Sequence, residues 1–259
     1  MPFKTVDWAL RSNIYEVNVR QYTKEGTLVS FAAHLPRLAD MGVTVLWFMP
    51  ITPISTKGRL GTLGSYYACS DYTSINSEFG TEQDFIAVVH AAHTLGMKVM
   101  IDWVANHTGQ DHVWTRSNPN FYMQDSHGNF TERNGWSDVI DLNYDNQDMR
   151  AAMIEAMRYW VETAGIDGFR CDMAHLVPLD FWQAARTNCD MIKPLFWLAE
   201  CENANYHPTF DASYAWDWMH VTEKLNQGQV GMNEVYNVLE GYVHHPSGAL
   251  KLFFTSFSS

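Results

Sequence analysis

The chain has 259 residues, of which 46% are hydrophobic, and it carries a formal net charge of −12. This length and apolar content suffice for one large core, with room for an inserted lobe. The acidic balance argues against nucleic acid as a partner and is compatible with a neutral substrate. No run of about 18 apolar residues is present, so we expect no membrane span.

Short apolar runs alternate with amphipathic stretches along most of the chain. The predicted strands cover residues 14–19, 43–49, 98–102, 166–171, 196–199, 213–218 and 250–255. The predicted helices cover residues 28–41, 82–95, 147–164, 179–191 and 232–243. This alternation is typical of a parallel sheet covered by helices, an α/β fold. A doubly wound open sheet is the alternative, although no Gly-x-Gly-x-x-Gly turn follows an early strand.

Acidic residues collect directly after three of the predicted strands: Asp102, Asp172 and Glu200. A (β/α) barrel builds its site at the carboxyl ends of its strands, which favours a barrel. Arg170 and Asp172 are two residues apart and share a strand face, so the arginine can hold the aspartate ionised. Two carboxylates from different strands can act as nucleophile and general acid on a glycosidic bond. A structural ion pair and a strand-end cap are the alternative.

The cysteines show neither metal-site nor redox spacing. They are Cys69, Cys171, Cys189 and Cys201. We interpret them as free thiols in a reducing compartment and therefore expect a cytoplasmic protein. A secreted protein whose signal peptide has been removed is the alternative.

Five segments resemble the α-amylase family, glycoside hydrolase family 13. They are residues 67–72 (YACSDY) with 79–81 (FGT), 102–107 (DWVANH), 141–143 (DLN), 168–172 (GFRCD) and 198–200 (LAE). Each is weak alone, but their order and spacing together make a strong signal. The resemblance implies a TIM barrel of the (β/α)8 type, formed by residues 1–102 and 142–259. It also implies a short inserted B-type lobe at residues 103–141, after the third strand.

The resemblance assigns roles to the acidic residues. It implies a retaining α-glucan hydrolase with Asp172 as nucleophile, Glu200 as acid/base and Arg170 orienting Asp172. Glu202 is a competing candidate for the acid, because it lies two residues further on the same strand face. The implied substrate is the α-1,4-linked glucan of starch or maltooligosaccharides. A catalytically silent glucan-binding fragment is the alternative function.

Four further residues are expected to contact substrate by the same resemblance: Tyr67, Asp102, His107 and His175. Tyr67 would stack on the sugar that is cleaved, and His107 would line the same subsite. The family places a histidine four residues after the nucleophile. Here that position is Leu176, and His175 comes one residue earlier.

Many members of the family hold a structural calcium ion between the inserted domain and the barrel. Asn106 and Asp141 match its side-chain ligands, and hard oxygen ligands suit Ca²⁺. Members that lack the ion keep similar residues, so both possibilities remain open for this chain.

The family carries a third carboxylate after its seventh strand, whereas this sequence ends in Phe257, Ser258 and Ser259. We therefore expect an incomplete barrel of about seven strands without the usual C-terminal β domain. Loss of one positioned electrostatic group often costs on the order of 10²–10³ in rate, so activity would be weakened. Open strand edges recruit other chains, which predicts a homo-oligomer, for instance a domain-swapped dimer. A molecular mass in solution equal to that of one chain, measured by light scattering or sedimentation, would contradict the predicted homo-oligomer.

Overall fold

The computed structural model of the protein describes residues 3–245 and 250–253. The strands are β1 (Ile14–Val17), β2 (Val45–Phe48), β3 (Lys98–Trp103), β4 (His107–Gly109), β5 (Val139–Asp141), β6 (Gly168–Cys171), β7 (Phe196–Ala199), β8 (Ala212–Tyr214) and β9 (Leu250–Leu252). The helices are α1 (Val19–Tyr22), α2 (Leu28–Ala32), α3 (Leu35–Asp40), α4 (Glu82–Thr94), α5 (Trp114–Ser117), α6 (Gln147–Ala164), α7 (Leu179–Asp190), α8 (Trp216–Asn226) and α9 (Met232–Val243).

Seven of these strands form one parallel sheet in the order β1-β2-β3-β6-β7-β8-β9. The sheet curls into an unclosed barrel, with β1 and β9 at its edges within the described residues. The expected barrel of about seven strands is therefore confirmed. The remaining strands, β4 and β5, pair antiparallel in the segment between β3 and β6. The exact bounds of the lobe, 103–141, stay a prediction.

Alternation along the strands separates two apolar cores. Phe48 and Phe169 face the helices and belong to the larger core, which lies between the sheet and the helices. Trp47 and Leu198 face inward and belong to a smaller core inside the curl, together with Tyr214. Strands buried on both faces in this way explain the nearly continuous apolar runs in the sequence.

Two predicted elements differ from the structure. The single helix expected over residues 28–41 is two helices, α2 and α3. Pro36 lies in the first turn of α3, and its missing N–H cannot continue a helical ladder from α2. The strand expected over residues 213–218 ends at Tyr214, and helix α8 follows from Trp216. Aromatic residues favour strands locally, but the crossover to the parallel strand β9 requires helices.

The other boundaries agree with the structure within a few residues, and α6, α9 and β7 agree at both ends. The last predicted strand, 250–255, is β9 as far as Leu252, and residues 254–255 lie outside the described part. Gly168 opens β6 where a Cβ would come within 2.3 Å of the Phe196 carbonyl oxygen, so the close approach of β6 and β7 requires glycine. In the described ranges, every helix is too short or too polar to cross a bilayer.

Candidate active site

The carboxyl ends of three neighbouring strands bring together the acidic residues predicted from sequence. The parallel register places Asp102 on β3 directly beside Arg170 on β6. The ladder continues one step beyond the strands, because the N–H of Asp172 donates to the Trp103 carbonyl and the N–H of Glu200 donates to the Cys171 carbonyl. The backbone therefore fixes both acids at one rim of the sheet.

Arg170 is the centre of this arrangement, and its side chain is only 5% exposed. Its Nη1 donates to Asp102 Oδ1 at 2.9 Å and to Asp172 Oδ1 at 2.7 Å. Its Nη2 lies 2.8 Å from Glu200 Oε1. One guanidinium thus holds three carboxyl groups, and charge-assisted bonds of this kind are the strong ones.

Two aromatic residues complete the surroundings of Arg170. Its Nε donates to the Tyr214 hydroxyl at 2.8 Å, and the guanidinium lies 5.0 Å from the centre of the Trp47 ring. All three guanidinium nitrogens have partners in this buried network, so the Arg170 side chain has a fixed orientation. The sequence analysis assigned no role to Trp47 or Tyr214. In a sequence, an aromatic residue that faces a site inside the barrel cannot be told from one that packs in the core.

Three carboxylates beside one cation cannot all ionise easily in a buried site. Burial raises the pKa of Asp172 to about 6, although Arg170 acts in the opposite direction. Burial likewise raises the pKa of Glu200. The two groups are hydrogen-bonded to each other, which lowers the pKa of Asp172 and raises that of Glu200. These opposite effects favour the proton on Glu200 and the negative charge on Asp172.

Met173 holds Glu200 in place through its backbone. It has φ of 40°, the left-handed region, and its N–H donates to Glu200 Oε2 at 2.7 Å. Backbone strain of this kind costs on the order of 1–3 kcal/mol and is concentrated at functional sites. Residue type gives no hint of this role, because methionine has no preference for positive φ.

Glu202, the competing acid candidate, points away from Asp172. It accepts a bond from the Asp217 N–H at 2.8 Å, contacts the Tyr242 hydroxyl and lies 3.7 Å from Lys251 Nζ. These partners belong to α8, α9 and β9. The structure therefore places Glu200, and not Glu202, in contact with Asp172.

A cavity of about 500 Å³ opens above the acids, within the usual range for a small-molecule site. Asp172, Glu200 and Arg170 line it together with Tyr67 and His107. The rest of the lining comes from the loop after β2 (Leu60 and Ser65), the turn after β6 (Met173) and the inserted lobe (residues 135–139). The sequence reasoning missed Leu60 and Trp136, which sit in loops without a motif.

Tyr67 and His107 both line the cavity, and their contact with substrate stays a prediction. The Tyr67 hydroxyl donates to Asp102 Oδ2 at 3.2 Å, which fixes the ring beside Arg170. Burial lowers the pKa of His107 to about 4, so the imidazole is neutral at neutral pH. A neutral imidazole can donate to or accept from a sugar hydroxyl without adding charge.

The structure does not bring Asp102 or His175 to the cavity surface. The Asp102 side chain is fully buried beneath Tyr67 and Trp47, and its oxygens are occupied by Arg170 and these two side chains. His175 is exposed and does not line the cavity. Asp102 therefore supports Arg170 from below, and substrate contact by either residue stays a prediction.

The expected calcium ligands lie on or next to the small β4–β5 sheet. Asn106 Oδ1 and Asp141 Oδ1 are both buried without a hydrogen-bond partner in the described part of the chain. The other Asp141 oxygen lies 3.4 Å from Arg133 Nε. In residues 3–245 and 250–253, three or more His, Cys, Asp or Glu side chains nowhere converge as a metal site. The two unpaired oxygens nevertheless fit a hard cation, because each is a hard donor that no group in the described residues satisfies.

An unclosed parallel barrel with hydrogen-bonded acids at its strand ends defines a glycoside hydrolase type of site. Residues 11–134 and 116–243 match the α-amylase catalytic domain. The chain belongs to the α-amylase family, whose members act on α-glucans.

Individual relatives agree with this placement. The chain is 30% identical over 222 residues to the α-amylase MalA of Haloarcula japonica, covering 82% of this chain and 32% of the relative. It is 28% identical over 209 residues to an oligo-1,6-glucosidase of Bacillus cereus, which covers 66% of this chain and 36% of that relative. Among solved structures, the chain is similar to the noncanonic maltogenic α-amylase AmyB from Thermotoga neapolitana, with 40% sequence identity and a TM-score of 0.89. The match covers 94% of this chain and 58% of the AmyB chain. The chain thus spans about a third of the curated relatives' length.

Proposed function

We propose that this protein is a retaining hydrolase of α-1,4-glucosidic bonds in starch or maltooligosaccharides. The observation that carries the proposal is the bridge from Arg170 to Asp172 and Glu200 in one cavity. The bond between the two acids, which raises the pKa of Glu200 and lowers that of Asp172, supports Glu200 as the proton donor. An ionised carboxylate beside a protonated one is the pair that retaining glycoside hydrolysis needs. The α-1,4 preference is supported by the α-amylase relatives, whereas the oligo-1,6-glucosidase makes α-1,6 bonds the competing linkage.

In the proposed reaction, Asp172 attacks the anomeric carbon while Glu200 gives its proton to the leaving glycosidic oxygen. The C–O bond to the leaving sugar breaks, and a covalent ester forms between the sugar and Asp172. Glu200, now ionised, removes a proton from water, which attacks the same carbon and releases Asp172. Two inversions give net retention. Arg170 stabilises the Asp172 carboxylate whenever it is free.

Turnover of defined oligosaccharides tests the proposal. The protein is incubated with maltoheptaose or with isomaltotriose, and released reducing ends are counted while proton NMR follows the first anomer formed. We expect release of α-anomeric ends from maltoheptaose and little from isomaltotriose. Preferential cleavage of isomaltotriose would overturn the linkage. A β-anomer would overturn the mechanism, and no turnover would favour the silent glucan-binding fragment.

We further propose that Asn106 and Asp141 hold a calcium ion with their unpaired oxygens. At a Ca²⁺ concentration about 100 times Kd, binding would stabilise the fold by about 2.7 kcal/mol. For a chain of this size we expect a Tm about 5–10 °C higher in Ca²⁺ than in chelator.

The calcium prediction is checked by thermal unfolding of the wild-type chain and of Asp141→Asn. The rise in Tm should be lost in the variant, and Mg²⁺ should not reproduce it because Mg²⁺ demands near-octahedral geometry. Arg133→Gln is the matched variant, since it removes the cation beside Asp141 and should enlarge the response. A wild-type Tm that is equal in millimolar Ca²⁺ and in chelator would contradict the site.

A further inference from the structure

One wall of the cavity is a single run of the inserted lobe, residues 135–139. Trp136 is the large aromatic residue in this run, and its side chain is half-buried. The Trp136 and His107 rings meet in an edge-to-face arrangement, with the ring centres 5.3 Å apart and the planes at 67°. Trp136 therefore lines the same cavity as Asp172 and Glu200.

The backbone of this wall is held by one carboxylate. Glu132 accepts hydrogen bonds from three successive N–H groups, those of Asn134, Gly135 at 2.7 Å and Trp136 at 2.8 Å. Gly135 has φ of 85°, which allows the turn that aims these N–H groups at one point. Converging backbone N–H groups form an anion-binding concavity, and here the anion is the Glu132 side chain.

A second anchor lies on the other side of Trp136. Gln110 Nε2 donates to the carbonyl oxygen of Ser137 at 2.8 Å. The Gln110 side chain itself is confined by Gly58, where a Cβ would come within 2.5 Å of its amide. The position of Trp136 is therefore set from both sides before any ligand arrives.

We propose that Trp136 stacks on a glucose ring of the bound α-glucan, and that Glu132 is the positioning residue that holds Trp136 in place. This inference rests on the proposed function and names a substrate contact in that same cavity. Glucose presents flat C–H faces, and an indole offers a matching apolar platform that loses little conformational entropy on binding. A fixed aromatic ring beside the acids would determine how the bound glucan is placed, and therefore which of its glycosidic bonds lies between Asp172 and Glu200.

Binding is measured without turnover in the Glu200→Gln background by titrating maltoheptaose in a calorimeter. Trp136→Ala should raise Kd about tenfold, which corresponds to about 1.4 kcal/mol. Trp136→Phe should stay within about threefold because it keeps an aromatic face. Trp8→Phe is the control, since Trp8 packs on Phe196 at the amino end of the strands, opposite to the acids. It should leave Kd unchanged.

The role of Glu132 is tested by a double-mutant cycle in the same background. Glu132→Gln alone should raise Kd about fivefold because a neutral amide cannot accept three N–H bonds as well. In the double variant with Trp136→Ala, Glu132→Gln should raise Kd no further, because the effects of two residues that act through one another are not additive. An equal effect of Glu132→Gln with and without Trp136 would overturn the positioning role.

Failure of this inference is distinguishable from failure of the proposed function. If Glu200→Gln binds maltoheptaose and Trp136→Ala binds it equally well, the stacking role falls and the hydrolase proposal stands. If the wild-type chain shows no turnover and Glu200→Gln binds no glucan, the proposed function falls, and the inference falls with it.

Discussion

Asp172→Asn should lower kcat for maltoheptaose by on the order of 10⁴ and leave the Kd for the oligosaccharide within about threefold. The amide cannot form the glycosyl ester, whereas the other residues that line the cavity are unchanged in this variant. The measurement is reducing-end release under single-turnover conditions, together with calorimetric binding. A variant that keeps more than about a tenth of wild-type kcat would remove Asp172 from the nucleophile role.

Glu200→Gln serves as the matched test of the general acid. Removal of a general acid costs about 10²–10⁴ with a poor leaving group. The loss should shrink with an aryl glycoside, whose leaving oxygen needs no proton. Glu202→Gln is the control, because Glu202 bonds to α8 and α9 and not to Asp172. If Glu202→Gln shows the dependence on leaving group and Glu200→Gln does not, the acid has been assigned to the wrong residue.

Arg170→Met should strongly lower the free energy of unfolding and should also shift the pH dependence of kcat/KM. Removing the cation leaves three buried carboxyl groups without their shared partner, and breaking a buried pair costs about 3–5 kcal/mol. Burial already raises the pKa of Asp102 and of Asp172 to about 6, and Arg170 opposes that rise. Without Arg170 these pKa values rise further, so the acidic limb of kcat/KM should move to higher pH.

The sign of the stability effect follows from the same shift. Carboxyl groups with a raised pKa in the folded state are protonated at low pH, where a missing cation matters less. The Arg170→Met variant should therefore lose more stability at pH 8 than at pH 5, as measured by denaturant unfolding. Arg158→Met removes partly exposed pairs with Glu155 and Glu162 and should cost no more than about 1 kcal/mol at either pH. Equal losses at pH 5 and pH 8 for Arg170→Met would contradict the account.

Much of this protein follows from local sequence pattern. The alternation of apolar runs with helical periodicity located the seven sheet strands and most helices, because strand and helix periods are properties of neighbouring residues. The positions of Asp102, Asp172 and Glu200 at or directly after the carboxyl ends of strands predicted that they would meet. In a parallel barrel all carboxyl ends share one rim, whatever the side-chain details.

Only the tertiary structure decided which of these groups touch. Register between β3 and β6 sets Asp102 beside Arg170, and the left-handed backbone at Met173 turns Glu200 towards Asp172. Neither depends on residue type nearby in sequence. The resemblance favoured Glu200 over Glu202, but only the structure shows which of the two contacts Asp172. Trp136 is a similar case, because its place on the cavity wall depends on a turn around Glu132 in an irregular lobe. The local pattern of apolar residues predicts which segments form strands and helices. Contacts between segments far apart in sequence determine the direction in which each side chain points.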